Sequence, residues 1–157
     1  MDSYLVTATK EFKWDMAHML SGHKGLCRNL HGHTYKMEVT ACRLNGLVNT
    51  IEESPENGMV VDFKGLSEIV KSLIVEPLDH ATMVDVNSTD LFEQELIQLL
   101  SKYSKKHVSV NYRPTAENMA IHFLDTINNE LVKIDAQYRV VKIRLFETPT
   151  SYAEIVS

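Results

Sequence analysis

Three histidines in the N-terminal part of the chain have the residue type and spacing of a metal site. His18 ends the segment 14–18, and His31 and His33 flank a single glycine. Three neutral imidazoles leave the fourth position of a tetrahedral zinc ion open, which is the pattern of catalytic rather than structural sites. Zinc suits imidazole ligands, and iron and nickel accept the same ligand type. We therefore predict that His18, His31 and His33 bind a metal ion, with zinc as the expected metal.

Two predicted strands would bring these side chains together. Residues 4–18 alternate between apolar and polar side chains, with His18 on the apolar side, as in a strand with one buried face. Residues 31–44 alternate in the same way, with His31 and His33 on their apolar side. Consecutive strands usually pair, and antiparallel pairing would gather the three rings on the covered face. Buried imidazole nitrogens need partners, and a metal ion supplies them.

A cysteine, Cys27, lies in the connection between the two predicted strands. Three interpretations are open from the residues alone: an inert small hydrophobic residue, a fourth zinc ligand that would close the site, or a reactive thiol. Positive charge favours the thiolate form of a cysteine, and Lys24 and Arg28 are close in sequence.

Five further residues carry side chains that suit a binding or catalytic site. Asp79 precedes His80, and such a pair either orients the imidazole ring or is simply a polar helix end. Glu147 ends an apolar strand face, where it is either a rim charge or an acceptor for a nitrogen-rich ring such as a pterin or guanine. Thr115 and Glu117 are interpreted first as residues of a helix start.

Three helices are predicted in the middle of the chain. The first begins after Asp62 and ends at Pro77. The second begins after Asp90, with Glu93 completing a capping box, and the third begins after Thr115. The expected apolar stripe of the second helix consists of Leu91, Phe92, Leu96, Leu99 and Leu100. That of the third consists of Ala116, Ala120, Phe123, Leu124, Ile127 and Leu131.

Residues 138–147 and 152–156 are predicted as two further strands, with Val141, Ile143 and Leu145 on the face of Glu147. The element order is therefore strand, strand, helix, helix, helix, strand, strand. This order predicts an α+β fold, with an antiparallel four-stranded sheet and helices on one face.

The composition argues against several classes of protein. The 157 residues are 44% hydrophobic, with a formal net charge of −5 and a pI of about 5.8, so the basic surface of a nucleic-acid binder is not expected. No apolar run approaches the roughly 18 residues that a membrane-spanning helix needs. Two cysteines make no disulfide framework and the N-terminus has no signal-peptide layout, so the cytoplasm is the expected compartment.

Taken together, the motifs resemble those of the 6-pyruvoyl-tetrahydropterin synthase superfamily, in the family's order. They are Met16-Ala17-His18, Cys27-x-x-x-His31-Gly32-His33, Val61-Asp62-Phe63, Leu78-Asp79-His80, Pro114-Thr115-Ala116-Glu117-Asn118 and Phe146-Glu147-Thr148. The three-residue gap between Cys27 and His31 is similar to that of the bacterial branch, the 6-carboxy-5,6,7,8-tetrahydropterin synthases of queuosine biosynthesis. The pyruvoyl-forming branch usually has a longer gap.

The resemblance implies one synthase domain over residues 1–157 with the tunnelling fold, whose sheets join into a barrel in a trimer. Two trimers would form a homohexamer with active sites between subunits. Zinc would be held by His18, His31 and His33. The activity would be that of a lyase that converts 7,8-dihydroneopterin triphosphate to 6-carboxy-5,6,7,8-tetrahydropterin, with release of acetaldehyde and triphosphate.

The resemblance also implies roles for the other candidate residues. Cys27 would be the general base, and a neighbouring chain would contribute a proton relay of Asp79 and His80. The substrate-binding residues would be Glu147, which anchors the pterin ring, with Thr115 and Glu117 beside it. Lys24 and Arg28 are the candidates for holding the triphosphate, because they are the nearest basic residues in an otherwise acidic chain.

Other functions stay open beside this one. The same fold could make 6-pyruvoyltetrahydropterin or only cleave the pterin side chain. From another class, the chain could be a non-catalytic, zinc-stabilised pterin-binding module, or Cys27 could complete a structural zinc site. One departure from the family pattern is visible, because the segment between His80 and Thr115 is longer than in compact bacterial relatives.

Overall fold

The computed structural model describes residues 4–157. The strands are β1 (Thr7–His18), β2 (His31–Arg43), β3 (Ala81–Asp85), β4 (His107–Val110), β5 (Tyr138–Thr148) and β6 (Ser151–Val156). The helices are α1 (Phe63–Val70), α2 (Glu76–Leu78), α3 (Leu91–Lys102) and α4 (Ala116–Lys133), and a short 3-10 turn spans Leu26–Arg28. In this part of the chain, no helix combines the length and the apolar character needed to cross a membrane.

The predicted α+β class is confirmed, but the prediction of a four-stranded antiparallel sheet is wrong. The sheet has six strands in the order β4-β3-β1-β2-β5-β6. β3 runs parallel to β1, and β4 runs parallel to β3, so the sheet is mixed. The two added strands have only five and four residues. Such short segments show too few alternating positions for a period of two to be recognised in the sequence.

The antiparallel pairing of the first two strands is confirmed. In the hairpin of β1 and β2, His18 lies directly opposite His31, and Met16 lies opposite His33. Directly opposed residues in an antiparallel pair share one face of the sheet. The register therefore places all three histidines on the same face at one end of the hairpin.

The first predicted helix has the expected beginning but continues past its predicted end. The Asp62 side chain accepts hydrogen bonds from the backbone N–H groups of Lys64 and Gly65, as an N-cap does. A π-helical turn at Lys71–Val75 then joins α1 to α2, and Pro77 lies within α2. The π turn widens the helix immediately before Pro77. In a regular α-helix the pyrrolidine ring of the proline would clash with a carbonyl group of the preceding turn.

Helix α3 is the second predicted helix, the one expected after Asp90. It begins as predicted but buries a different face. Asp90 accepts a hydrogen bond from the backbone N–H of Glu93, which confirms the N-cap. The predicted apolar stripe is wrong, because Leu91, Phe92 and Leu99 are exposed. The only buried residue of α3 is Glu93.

The hydrophobic core lies between the sheet and the helices α1 and α4. Thr115 caps α4, and every residue of the predicted α4 stripe is buried. These side chains pack in one cluster with the inward residues of the central strands, among them Tyr35, Met37 and Leu145. Burial of this apolar face holds α4 against the sheet.

β5 carries two irregularities, and the first changes which side chains point inward. The β2–β5 register shifts by one residue between Thr40 and Ala41, which leaves Val141 as an extra residue on β5. Val140 is fully buried instead, so the predicted inward position of Val141 is wrong. The β5–β6 register shifts again between Phe146 and Thr148, which leaves Glu147 as a bulged residue. Bulges next to functional sites commonly re-aim a side chain.

Candidate metal centre

The three predicted histidine ligands come together at the end of the β1–β2 hairpin. One nitrogen from each of His18, His31 and His33 lies within 4.8 Å of the others. The ring centroids of His18 lie 4.7 Å from His31 and 5.2 Å from His33, and those of His31 and His33 are 4.9 Å apart. The ring planes are inclined to one another by 55° to 88°, so the rings do not stack.

Backbone carbonyl groups select the tautomer of two of these rings. His18 Nδ1 lies 2.8 Å from the carbonyl oxygen of Pro114, and His31 Nδ1 lies 2.7 Å from that of Asn29. A carbonyl can only accept, so each Nδ1 carries the hydrogen and each Nε2 keeps its lone pair. Metal-binding histidines generally donate their other nitrogen to such a partner. The donor set therefore fits a zinc ion.

The protonation state of the group also favours a metal. Burial lowers the pKa of His18 to about 4, an effect opposed by the hydrogen bond to Pro114 and strengthened by the neighbouring His31 and His33. Burial, followed by the charge of His31, also lowers the pKa of His33. Near neutral pH these two rings are uncharged, so their lone pairs are free for a cation.

Tyr35 forms the floor of the histidine group. Its ring centroid is 5.9 Å from that of His18 and 5.5 Å from that of His33, in both cases edge to face. Tyr35 is fully buried, and burial followed by the charge of Glu147 raises the pKa of its phenol. The phenol therefore stays protonated and supports the imidazole rings from the core side.

Glu147 reaches the same group from β5. Its Oε1 lies 3.9 Å from Nε2 of His18. Burial, and then the nearby charge of Glu117, raise the pKa of Glu147, while His31 acts in the opposite direction. Glu147 and His33 also line a cavity of about 510 Å³. Cavities of roughly 300–1,000 Å³ are typical of small-molecule sites.

Cys27 lies in the loop that connects β1 and β2, within the 3-10 turn. It is half-buried and forms no disulfide. Its thiol is not a member of the histidine group. The loop is closed by a hydrogen bond of 2.9 Å from the backbone N–H of Leu20 to the carbonyl of Cys27. Cys27 thus lies in a closed loop between the two strands that carry the histidines.

Asp79 and His80 form a close pair, with His80 Nδ1 3.0 Å from Asp79 Oδ1. The Asp79 carboxylate also accepts from the backbone N–H of Asp15, at 3.1 Å. The hydrogen bond from Asp15, followed by that from His80, lowers the pKa of Asp79, with the charge of Lys106 in the same direction. Asp79 is therefore a carboxylate near neutral pH, and the outer nitrogen of His80 is left free.

This pair lies on the other side of the sheet from the histidine group. Donor atoms of His80, Asp79 and Asp15 lie within 4.8 Å of one another. Asp15 is an outward residue of β1, whereas His18 points inward, because side chains alternate along a strand. His80 itself has a φ of 62°, a left-handed conformation that is uncommon outside glycine. Asp79 and His80 do not belong to the histidine group of their own chain, although His80 and His33 line one open cavity of about 420 Å³.

The remaining candidates occupy two places. Thr115 Oγ1 accepts a hydrogen bond from the backbone N–H of Asn118, and Glu117 is exposed in the first turn of α4 near Glu147. Lys24 and Arg28 are exposed in the Cys27 loop. Within residues 4–157, neither of these two cations forms an ion pair.

Sequence reasoning missed several contributors to the site. The carbonyl groups of Pro114 and Asn29 have no signal in the residue type, since every residue has a carbonyl. Tyr35 could have been found, because it follows His31 and His33 on the same alternating face of β2.

Comparison with known proteins places the sequence in one family. The family model described as 6-pyruvoyl tetrahydropterin synthase matches residues 7–157. A protein of Haemophilus influenzae named 6-carboxy-5,6,7,8-tetrahydropterin synthase is 41% identical over 146 residues, which cover 93% of this chain and 95% of the relative.

Solved structures share the fold. An uncharacterised protein from Wolinella succinogenes superposes with a TM-score of 0.78 at 21% identity, covering 99% of both chains. The 6-pyruvoyl tetrahydropterin synthase of Caenorhabditis elegans superposes with a TM-score of 0.64 at 22% identity, covering 97% of this chain and 95% of that one. At these identities the likeness concerns the fold alone.

Proposed function

The chain belongs to the 6-pyruvoyl tetrahydropterin synthase family, and from that premise we propose that it is a zinc-dependent lyase. Its substrate is 7,8-dihydroneopterin triphosphate, and its products are 6-carboxy-5,6,7,8-tetrahydropterin, acetaldehyde and triphosphate. The observation that carries the proposal is the convergence of three imidazoles at the end of the strands that the loop with the free thiol connects. The choice of the carboxy-forming branch is supported by the name of the Haemophilus influenzae relative.

His18, His31 and His33 are the residues that would hold zinc. When bound, zinc supplies Lewis-acid polarisation of the hydroxyl oxygens of the substrate side chain, which acidifies the adjacent C–H group. His18 and His31 contribute their Nε2 lone pairs, since the carbonyls of Pro114 and Asn29 accept their Nδ1–H groups, and His33 supplies the third nitrogen.

Cys27 acts as the general base in this proposal. Its sulfur is free, half-buried and outside the histidine group, which leaves Sγ, in its thiolate form, available to accept a proton rather than bind the metal. Lys24 and Arg28, in the same loop, hold the triphosphate through their positive charge.

Asp79 and His80 carry protons between positions on the substrate side chain. Since Asp79 faces Nδ1 of His80, the proton moves at Nε2 of that ring. The pair lies on the outer side of its own sheet, so it serves the histidine group of a neighbouring chain. That arrangement supports a homohexamer, a dimer of trimers in which each chain is one synthase domain.

Glu147 binds the pterin ring. Its carboxylate can accept two N–H groups of the ring in a forked hydrogen bond. Thr115 and Glu117, at the start of α4, border the same place and contribute further polar contacts.

Zinc content and turnover measured together test the proposal. Wild type, Cys27→Ala and Cys42→Ala are supplied with 7,8-dihydroneopterin triphosphate, and zinc, acetaldehyde and triphosphate are quantified. We expect about one zinc per chain in all three proteins. Acetaldehyde should form with wild type and Cys27→Ala should be inactive, whereas Cys42→Ala, altered far from the loop, should be active.

Each other outcome points to a different function. Loss of zinc from Cys27→Ala would make the thiol a metal ligand and the site a structural one. A pyruvoyl product, or cleavage without triphosphate release, would move the chain to another branch of the family. Zinc with no turnover and tight pterin binding would identify a binding module.

A further inference from the structure

Glu93 of α3 is an acidic residue in an unusual environment. Only 1% of its surface is exposed, and it is the one buried carboxylate among residues 4–157. Its Oε1 accepts the backbone N–H of Asp85 at 2.9 Å, and its Oε2 accepts the hydroxyl of Ser21. In the described part of the chain it has no cationic partner. A buried carboxylate is unfavourable unless it is well hydrogen-bonded, so these two contacts hold it in place.

One of these contacts connects α3 to the loop of Cys27. Ser21 follows Leu20, whose backbone N–H donates to the carbonyl of Cys27 at 2.9 Å. The Leu20 carbonyl in turn accepts the backbone N–H of His23 at 3.0 Å. Two hydrogen bonds, joined by the peptide bond between Leu20 and Ser21, therefore link the Glu93 carboxylate to the backbone of Cys27.

A second contact joins the same loop to the segment that precedes α4. Arg113 Nη2 donates to the carbonyl of Ser21 at 3.2 Å. The next residue, Pro114, accepts the Nδ1–H of His18. Glu93, Ser21, Arg113 and Pro114 line one cavity of about 490 Å³. The loop is thus hydrogen-bonded both to α3, through Glu93, and to the segment of Arg113 and Pro114, whose carbonyl orients the His18 ring.

We propose that Glu93 is a positioning residue, whose buried carboxylate fixes the Cys27 loop relative to the histidine group through Ser21. This inference rests on the proposed function, in which Cys27 removes a proton next to the metal. It gives a role to α3, which lies in the segment between His80 and Thr115 and exposes Leu91, Phe92 and Leu99, half of its large apolar side chains.

The hydrogen-bond pattern predicts which substitutions are tolerated. In Glu93→Gln the amide oxygen can still accept from Asp85, and the amide nitrogen can donate to the Ser21 oxygen, so the loop remains held. Glu93→Leu keeps the volume but removes both contacts. Ser21→Ala removes only the contact to the loop. Glu95→Leu is the matched control, because Glu95 is exposed on the same helix.

Two measurements on the zinc-loaded proteins, well below the melting temperature of each variant, test the proposal. The first is the rate at which iodoacetamide alkylates Cys27, followed by peptide mass spectrometry with the buried Cys42 as internal reference. The second is the kinetics with 7,8-dihydroneopterin triphosphate. For Glu93→Leu and Ser21→Ala we expect Cys27 to react at least about fivefold faster. We expect kcat to fall about 10- to 100-fold with KM within about twofold, since displacement by an ångström has effects of that size.

In the same experiment, Glu93→Gln and Glu95→Leu should resemble wild type in both readouts. A purely structural Glu93 would lower the melting temperature of Glu93→Leu and leave alkylation and kcat unchanged, which would overturn the proposal. Impairment of Glu93→Gln as severe as that of Glu93→Leu would also overturn it. If Glu93→Leu does not fold, wild-type alkylation of Cys27 in Ser21→Ala contradicts the proposal. If wild type itself has no turnover, the proposed function fails, and alkylation alone still decides whether Glu93 holds the loop.

Discussion

His18 is a polar side chain that is buried and still has a hydrogen-bond partner. It is 1% exposed, which disfavours its charged form, yet its Nδ1 has a hydrogen-bond partner. The result is a neutral ring with one free lone pair inside the fold. Without a metal, this ring makes the folded protein sensitive to acid.

We predict that the metal-free protein loses stability as the pH falls from about 6.5 towards 4. The folded pKa of His18, about 4, lies below its ordinary value of 6.5. The unfolded chain therefore binds a proton first, and the stabilisation present above pH 6.5 is lost as the pH falls through the folded pKa. The expected loss of unfolding free energy is about 3 kcal/mol. Urea unfolding at pH 7 and pH 4.5 measures it, and His18→Gln should lack this part of the pH dependence.

Glu147 is the residue on which pterin recognition depends in the proposed function. Glu147→Gln keeps the shape but replaces one acceptor by a donor, so a forked bond to two N–H groups is lost. We expect KM to rise about 10- to 100-fold, the equivalent of one charged hydrogen bond, with zinc content unchanged. Glu11→Gln, on the exposed face of β1, is the control. A normal KM with a lost metal would mean that Glu147 serves the histidine group instead.

At the scale of the elements, the spacing of β1 and β2 sets the geometry of the histidines. Gly32 lies between His31 and His33 and opposite Ala17. A Cβ atom at Gly32 would lie 3.1 Å from the carbonyl oxygen of Met16. That oxygen belongs to a paired strand, so it cannot move away without moving the hairpin.

Gly32→Ala is therefore expected to separate the two strands and to lower zinc affinity by about tenfold or more. Gly65→Ala is the matched control, because its Cβ would make an ordinary contact of 3.6 Å with Asp62. In helix α1 this second change should leave zinc binding intact and raise the unfolding free energy by about 0.5–1 kcal/mol. Competition with a zinc-sensitive dye and thermal melts measure both effects. Equal zinc affinity of the two variants would show that the hairpin tolerates a methyl group.

At the scale of the whole molecule, the two sides of the sheet carry complementary parts of the proposed site. The histidines and Glu147 face inward, whereas the pair of Asp79 and His80 faces outward. In the proposed function, a neighbouring chain therefore completes each site.

Mixing two inactive variants tests this arrangement. Cys27→Ala and His80→Ala are each expected to be inactive as pure oligomers. Unfolded together and refolded as a mixture, they should regain activity at about a quarter of the sites, since one chain then supplies the thiol and another the imidazole. Mixing without subunit exchange is the control. Absence of recovered activity in confirmed mixed oligomers would place both residues in the same chain's site.

Local pattern was sufficient for much of the site. The shared face of His18, His31 and His33 follows from a period of two in consecutive strands, and a hairpin depends on contacts between neighbouring segments. The starts of the helices at Asp62, Asp90 and Thr115 follow from side chains that cap their own backbone. These features depend on residues close in sequence, so the sequence by itself determined them.

Only the tertiary structure decided the features that depend on distant partners. The parallel pairing of β3 and β4, the β2–β5 register shift that turns Val140 rather than Val141 inward, and the carbonyl of Pro114 beside His18 all involve segments far apart in the chain. Glu93 fits a capping box by its spacing, yet its carboxylate is used by Asp85 and Ser21. Such contacts arise when elements pack, because packing selects among partners that local sequence allows equally.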